Sequence, residues 1–298
     1  MSEPAGFDVS QAPPSLGEAW ARLQRLDPRY FQIGALGTLL CWGLFGLDFD
    51  IGPLQAALTV ACALLTQLAC TRMWRLPVFD PKSALISSLS LCLLLRSNHL
   101  SLAILAAALA VLSKFILRAR GKHILNPTNG AIVILLACQA PIWVSPGQWG
   151  NATLFAFFIA CIGMLVVFRS ERVDVTIAFL VFWCAGLFGR SLWLGEPMTI
   201  PVHRLESGAL LLFSFFMISD PKTTPDSRVG RILFAALVAT GAYWVQFKWF
   251  RTNGLLWSLT AFSLTVPLID RLFPGGRFVW MRRAPAAEDL HGELAAAQ

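Results

Sequence analysis

Two short polar stretches interrupt an otherwise apolar chain, and their residue types suit ligand binding. The first runs from Lys114 to Gly130 and contains Arg118, Arg120, Lys122, His123, Asn126, Pro127, Thr128 and Asn129. Asn-Pro is a turn signal, because the residue before proline is driven out of the helical region while proline suits the first helical turn. Pro127 is therefore expected to open a helix, with Asn126 as its cap. The free N–H groups of that turn, beside Asn126, Thr128 and Asn129, can donate to carbonyl or phosphate oxygens. The second stretch, Ser219 to Arg231, packs Asp220, Lys222, Thr223, Thr224 and Asp226 around Pro221 and Pro225. Asp220 or Asp226 can cap a helix. A fainter echo, Asp80-Pro81-Lys82-Ser83, lies upstream. Two Asp-Pro-Lys breaks on one side suggest broken helices meeting around a shared site. Capped loops and a basic topology signal would also account for both stretches.

Metal and haem chemistry find less support. The seven cysteines, Cys41, Cys62, Cys70, Cys92, Cys138, Cys161 and Cys184, fall in or beside apolar runs without a CxxC pair. They read as small core hydrophobes. The four histidines lack helical pairing at i, i+3 or i+4. No metal site is expected.

The positioning elements follow from composition. Of 298 residues 56% are hydrophobic and 14% charged, against about 25% charged in soluble domains. This excludes disorder, a disulfide scaffold and most soluble enzymes. A helix crosses the hydrocarbon with about 20 apolar residues. Ten such runs are expected, near 30–49, 53–72, 83–97, 99–118, 130–146, 151–169, 174–190, 205–219, 229–247 and 254–273. Runs 83–97 and 205–219 are short enough to be tilted, broken or re-entrant. The fold class is thus an all-α polytopic membrane protein of about ten transmembrane helices, some of them broken. Residues 1–29 form a polar N-terminal segment with a surface helix near Leu16–Leu26. Residues 30–273 form the membrane domain, and 274–298 a polar tail. The first run leads straight into further spans, so it is read as a span and not as a cleaved leader.

The net charge of +7 is explained by topology. With the N-terminus inside, eighteen Lys and Arg fall on the inner side and five on the outer, with Lys114 left in a span. That asymmetry places both termini in the cytoplasm, and nucleic acid is not needed. Lys114 is expected to snorkel to the interface. Acids are nearly absent from the spans, with Asp270 near the end of the last run, so the chain does not read as a self-sufficient ion pump.

Several strings resemble one family. Lys122-His123-Ile124-Leu125-Asn126-Pro127 through Gly130 resembles the G-x-x-(F/L)-N-P-x-x-x-G stretch of the RnfD/NqrB family. Phe215-Phe216-Met217-Ile218-Ser219-Asp220-Pro221, followed by Gly230-Arg231, resembles its F-F-(M/I)-A-T-D-P…G-R stretch, and Asp80 with Ser83–Ile86 its D-G-S-A-L segment. The wording of Met217–Pro225 and of Trp143–Gly150 is closer to a divergent UnbU-like branch found with enediyne biosynthesis clusters. The resemblance implies a ten-helix membrane subunit of a redox complex, holding flavin and working beside other subunits or a soluble flavoprotein or ferredoxin. It also implies a bacterial inner-membrane location. The family joins an FMN to the Thr of an S-G-A-T motif. Here the similar string is Ser207-Gly208-Ala209-Leu210, with Leu at the acceptor position, and Thr199 lacks the flanking motif. A covalent FMN is therefore not expected.

The expected function is electron transport with noncovalent riboflavin or FMN. Asn126, Pro127, Thr128 and Asn129 would meet the isoalloxazine edge. Lys222, Thr223 and Thr224 would face it, and Asp220 would orient their bend. Two alternatives stand beside this: a permease for a small metabolite or natural product, and a membrane anchor for redox partners.

Overall fold

The computed structural model describes residues 26–47, 49–145 and 152–278. Most of the expected surface helix, residues 146–150 of the Trp143–Gly150 string and the tail beyond 278 lie outside them.

The described residues build α1 (Pro28–Gly46), α2 (Pro53–Met73), α3 (Lys82–Leu94), β1 (Leu95–Ser97) and α4 (Leu100–Ile116). The hairpin β2 (Arg118–Ala119) and β3 (Lys122–His123) follows, then α5 (Pro127–Ala137) and β4 (Ile142–Val144). The remainder is α6 (Ala152–Arg169), α7 (Val173–Leu194), α8 (Thr199–Leu205) and α9 (Gly208–Leu212), which continues as a π-helical turn over Phe213–Met217. Last come α10 (Arg228–Phe247), α11 (Gly254–Ser263) and α12 (Val266–Leu272). The chain is an all-α polytopic membrane protein. Helices α2, α7 and α10 are long and apolar enough to cross a bilayer, and α11 with α12 reaches that length only as a pair bent by 52°, a broken span or a re-entrant loop. Helix α1 adds 19 residues, and shorter apolar helices occupy the other expected runs.

The short spans have a physical explanation. Helix α3 has 13 residues, or about 20 Å, and three residues of β1 add about 10 Å. Helix α3 alone is therefore shorter than a hydrocarbon core about 30 Å thick. The strand's backbone groups are satisfied by antiparallel pairing with β4: Leu95 faces Val144, Arg96 faces Trp143 and Ser97 faces Ile142. Buried non-helical backbone is tolerated at membrane depth only when protein supplies such partners. Run 130–146 is consequently not one helix. It is eleven residues of α5, a turn with Gln139 at φ 56°, and a strand.

Packing among α1–α5 recurs in part among α6–α11. Helix α1 packs on α3, α2 on α4, and α4 on α5. Likewise α6 packs on α9, α7 on α10, and α10 on α11, while α1–α6 and α5–α11 contacts join the halves. Small residues permit these approaches. Ala103, Ala106, Ala107 and Ala110 are buried along α4. A Cβ on Gly163 would lie 2.5 Å from the Phe215 ring, and one on Gly241 2.5 Å from Phe262.

Candidate functional site

One end of the bundle carries most of the described charge and is called the basic end here. It is built from the breaks read in the sequence. Asn126 caps α5 as expected, its side-chain oxygen accepting the Asn129 N–H at 3.1 Å. Its amide nitrogen donates to Met217 O and to Asp220 Oδ2, both at 3.4 Å. The two polar breaks therefore touch directly. The two Asp-Pro-Lys strings fold alike: Asp80 accepts the Lys82 N–H at 3.2 Å and Asp220 the Lys222 N–H at 3.0 Å. Each is an Asx-type turn that fixes a carboxylate beside a proline.

Between them lies a cavity of about 240 Å³. Asn126, Pro127, Thr128, Asp220 and Lys222, all singled out in the sequence, line it. Asn129, Thr223 and Thr224 do not; the Asn129 Nδ2 and both threonine hydroxyls donate within the protein, while Asn129 Oδ1 is buried without a partner among the described residues. The Asn129 amide donates to Leu256 O and Thr260 Oγ1. Both Thr hydroxyls donate to Asp220 O. Asn129 therefore ties α5 to α11, and the threonines brace the bend.

Gln67, Ser87 and Ser90 on the other walls were not singled out in the sequence, whereas Ser83 and Lys114 were named there without being assigned to the site. Ser83, Ser87 and Ser90 line the cavity from α3, spaced i, i+4 and i+7 on one helical face. That spacing was the one signal that could have found them. Gln67 enters from α2 and is 7% exposed, and its Oε1 has no hydrogen-bond partner among the described residues. Lys114 does not snorkel. It is 4% exposed and donates to Ser83 O at 3.0 Å, Ser83 Oγ at 3.1 Å and Ser87 Oγ at 3.3 Å. The helix carrying it ends beneath the β2–β3 hairpin, so the ammonium finds nearer oxygens across the bundle than at the interface.

The hairpin turns through Arg120 and Gly121, at φ 51° and 79°, as a two-residue turn of the primed type requires. It sets Arg118 and His123 at the cavity wall. Burial, with Arg118, Lys114 and Lys222 nearby, pulls the His123 imidazole down to about 4. It is neutral at pH 7, and its Nδ1 is buried without a partner among the described residues. Burial raises the Asp220 carboxyl above the usual carboxylate range, against the opposing pull of the Lys222 N–H, Lys114, Lys222 and Arg172.

Arg29 also lines the cavity, but its guanidinium is held by Asp27, at 2.7 Å from Oδ2, and by Asp80. Burial alone would raise the Asp27 carboxyl; hydrogen bonds from Arg29 and Lys82 outweigh it and hold it near 2. Lys114, Arg118 and Lys222 form no salt bridge to a described carboxylate.

Beside the cavity lies a closed ion-pair network. Lys122 Nζ donates to Thr224 O at 2.6 Å, Asp226 Oδ1 at 3.0 Å and Asp270 Oδ2 at 2.8 Å. Arg231 grips Asp174 through Nε and Nη2 at 2.6–2.9 Å. Arg172 donates to Thr224 Oγ1 at 3.2 Å and stacks on the Phe278 ring at 4.9 Å. Burial and the neighbouring Arg231 pull Arg172 down to about 10.

The fold and cavity define a polytopic helical membrane protein with a cationic, hydrogen-bonding recess at its basic end. Residues 142–278 match the model of the NQR2, RnfD, RnfE family. The chain is similar to an ion-translocating oxidoreductase complex subunit from Pectobacterium carotovorum, 30% identical over 128 residues, covering 41% of this chain and 34% of that protein. It is similar to the subunit of the same name from Escherichia coli O1:K1, 34% identical over 127 residues with the same coverage. A third, from Salmonella paratyphi B, is 31% identical over 106 residues, 34% of this chain and 29% of the relative. The chain thus spans about a third of the length of these relatives. The family match includes the Asp220 break and begins after the Asn126 break.

Proposed function

We propose that this chain is a membrane subunit of an ion-translocating oxidoreductase-type complex in a bacterial inner membrane, and that its basic-end cavity holds a noncovalent flavin. The observation that carries this is the joining of both polar breaks, through Asn126 and Asp220, into one cavity wall. The wall suits an isoalloxazine edge, which presents carbonyls and an imide N–H. Lys114, Thr128 and the α3 serines supply donors, and the orphaned Gln67 Oε1 and His123 Nδ1 supply acceptors. The cavity volume of about 240 Å³ is below the roughly 300–1,000 Å³ of whole-ligand pockets. A ring edge would therefore enter while the rest of the molecule stays at the mouth. A bound flavin supplies one- and two-electron transfer. The chain's own residues orient it and tune it through donors and nearby positive charge. Other complex subunits are the expected partners, and the wording of Met217–Pro225 favours the UnbU-like branch.

The test is to purify the protein in mild detergent, add riboflavin or FMN, and record visible absorbance and fluorescence quenching. Binding at about one flavin per chain is expected. No binding of either overturns the cofactor reading. Acid precipitation should release the flavin, whereas flavin retained in the pellet would establish a covalent link.

One observation favours a permease instead. A second cavity of about 640 Å³ approaches from the other end, lined by Trp143, Ser145, Asn253 and Arg251, and it shares Met217 with the basic-end cavity. Uptake of labelled small metabolites into flavin-free proteoliposomes would support that reading over electron transport.

A further inference from the structure

Helix α10 starts among the charges of the basic end and runs for 20 residues, about 30 Å, so Lys248–Asn253 lie at the opposite end. Leu237, Thr240, Gly241, Trp244 and Val245 share one face of it at helical spacing. With Trp257, Ala261 and Phe262 of α11 they line a groove of about 720 Å³. Leu237 lies about 16 Å along the helix from Lys248, the depth of one leaflet in a core about 30 Å thick. Trp244 and Trp249 border the groove and are 51% and 64% exposed, as indoles at a membrane interface are.

The mouth of the groove is cationic. The chain folds back over the end of α10, with the Trp249 N–H donating to Trp244 O at 3.2 Å and the Arg251 N–H to Val245 O at 3.1 Å. This sets Arg251 in the groove wall, while Lys248 continues the same helical face one turn beyond Trp244 and Val245. The sequence places Arg96, Arg190 and Arg204 on this side too, but they are engaged otherwise. Arg96 is buried. Arg190 pairs with Glu196 at 2.6 Å, and Arg190 and Arg204 lie over the Phe247 ring at 4.7 and 5.1 Å. Lys248 and Arg251 are exposed and form no salt bridge to a described carboxylate. A helix C-terminus favours one cation nearby; the fold-back adds a second, on the side where basic residues are normally depleted.

Arg251 also lines the adjoining cavity of about 640 Å³, beside Gln246, Thr252 and Asn253. No acid is among the residues lining either space, so a headgroup ammonium would meet no carboxylate there, whereas an uncharged polyol would meet amides and a hydroxyl.

We propose that the α10–α11 groove is a specific site for an anionic phosphodiester lipid with a polyol headgroup. An acyl chain lies along the apolar face from Trp244 to Leu237, the phosphate sits between Lys248 and Arg251, and the polyol enters the adjoining cavity. Arginine and lysine hold phosphate by charge-assisted hydrogen bonds. This does not depend on what the basic-end cavity binds.

The experiment uses the full chain in mild detergent, with phosphatidylglycerol, phosphatidylethanolamine and phosphatidylcholine of equal chain length titrated by native mass spectrometry. A basic residue is worth about a fivefold factor toward anionic lipid, so the pair should favour phosphatidylglycerol by about 25-fold, at one lipid per chain. Lys248→Gln and Arg251→Gln should each lower that preference about fivefold, whereas the exposed Arg75→Gln at the basic end should leave it unchanged. Ala261→Trp, at an exposed position in the groove, should weaken all three lipids while the melting temperature shows the chain still folded. Equal affinity for the three lipids overturns the proposal. So does a preference that survives both glutamine substitutions or falls equally in Arg75→Gln, and so does full lipid binding by folded Ala261→Trp. Displacement of the lipid by glycerol phosphate alone would assign the two cations to a soluble anion and overturn it as well.

Discussion

Lys122 and Lys222 sit at the same end of the molecule, each in a loop beside an Asp-rich bend, and their surroundings differ. The Lys122 ammonium meets three oxygens at 2.6–3.0 Å, two of them carboxylate. The Lys222 ammonium meets a carbonyl at 3.4 Å. The contrast extends to their neighbourhoods. Around Lys122, Arg231 and Lys122 itself are matched by Asp174, Asp226 and Asp270. Around Lys222, Lys114 and Arg118 form no salt bridge to a described carboxylate, and Asp220 acts on Lys114 and Lys222 from a greater distance. One cluster closes its charge on itself and holds loops together. The other leaves charge open toward a cavity. Residue type alone does not separate structural from binding charge, but counter-ion inventory does.

Four perturbations test that division, taken from the largest effect downward. Asp270→Ala removes one of the two carboxylates on Lys122 and the acceptor of the Asp226 N–H. Each is a hydrogen bond to a charged group, worth about 1.5–3 kcal/mol, so the melting temperature in detergent should fall steeply. Flavin affinity of the protein that remains folded should hold. A loss of affinity without a loss of stability would dissolve the distinction between the clusters.

Next is acidification. His123 titrates near 4 in the folded chain and near 6.5 when unfolded. The folded state binds fewer protons between those values, so the contribution is full above about pH 6.5 and is lost as the pH falls toward 4. The loss should reach about 2–3 kcal/mol, read as a falling melting temperature. His123→Gln should flatten the profile.

Asn126→Ala removes a helix cap and the link to Asp220. It should cost about 1–2 kcal/mol and also weaken flavin binding, because this residue serves both fold and cavity. The smallest effect on stability is expected from Lys114→Met. Its ammonium has no described carboxylate partner to strand, and removing it lifts a burial penalty. Stability should stay within about 1 kcal/mol of the parent while flavin affinity drops. A collapse in stability would show that Lys114 belongs with the structural cations.

The sequence disclosed the all-α polytopic class and both breaks because each rests on local rules. Apolar runs mark helices, and Asn126-Pro127 or Asp220-Pro221 marks where they stop. It did not disclose the β1–β4 pairing, since nothing in Leu95–Ser97 names a partner more than forty residues away. Nor did it show that Lys114 turns inward, or that Gln67, Ser87 and Ser90 share a wall. On a helix apolar all round, the pattern does not say which side faces a neighbour. Asn129, Thr223 and Thr224 carried the right chemistry at the right break, but the Asn129 N–H groups and both threonine hydroxyls donate within the fold.

The β1–β4 pair also constrains how the chain enters its bilayer. When Leu95–Ser97 leaves the ribosome its partner strand, Ile142–Val144, has not been made. Unpaired strand backbone cannot rest against lipid. The segment from Lys82 to Val144 therefore reaches its final arrangement only once both strands exist, and truncation anywhere between Ser97 and Ile142 should leave β1 unpaired and α3 without its anchored end.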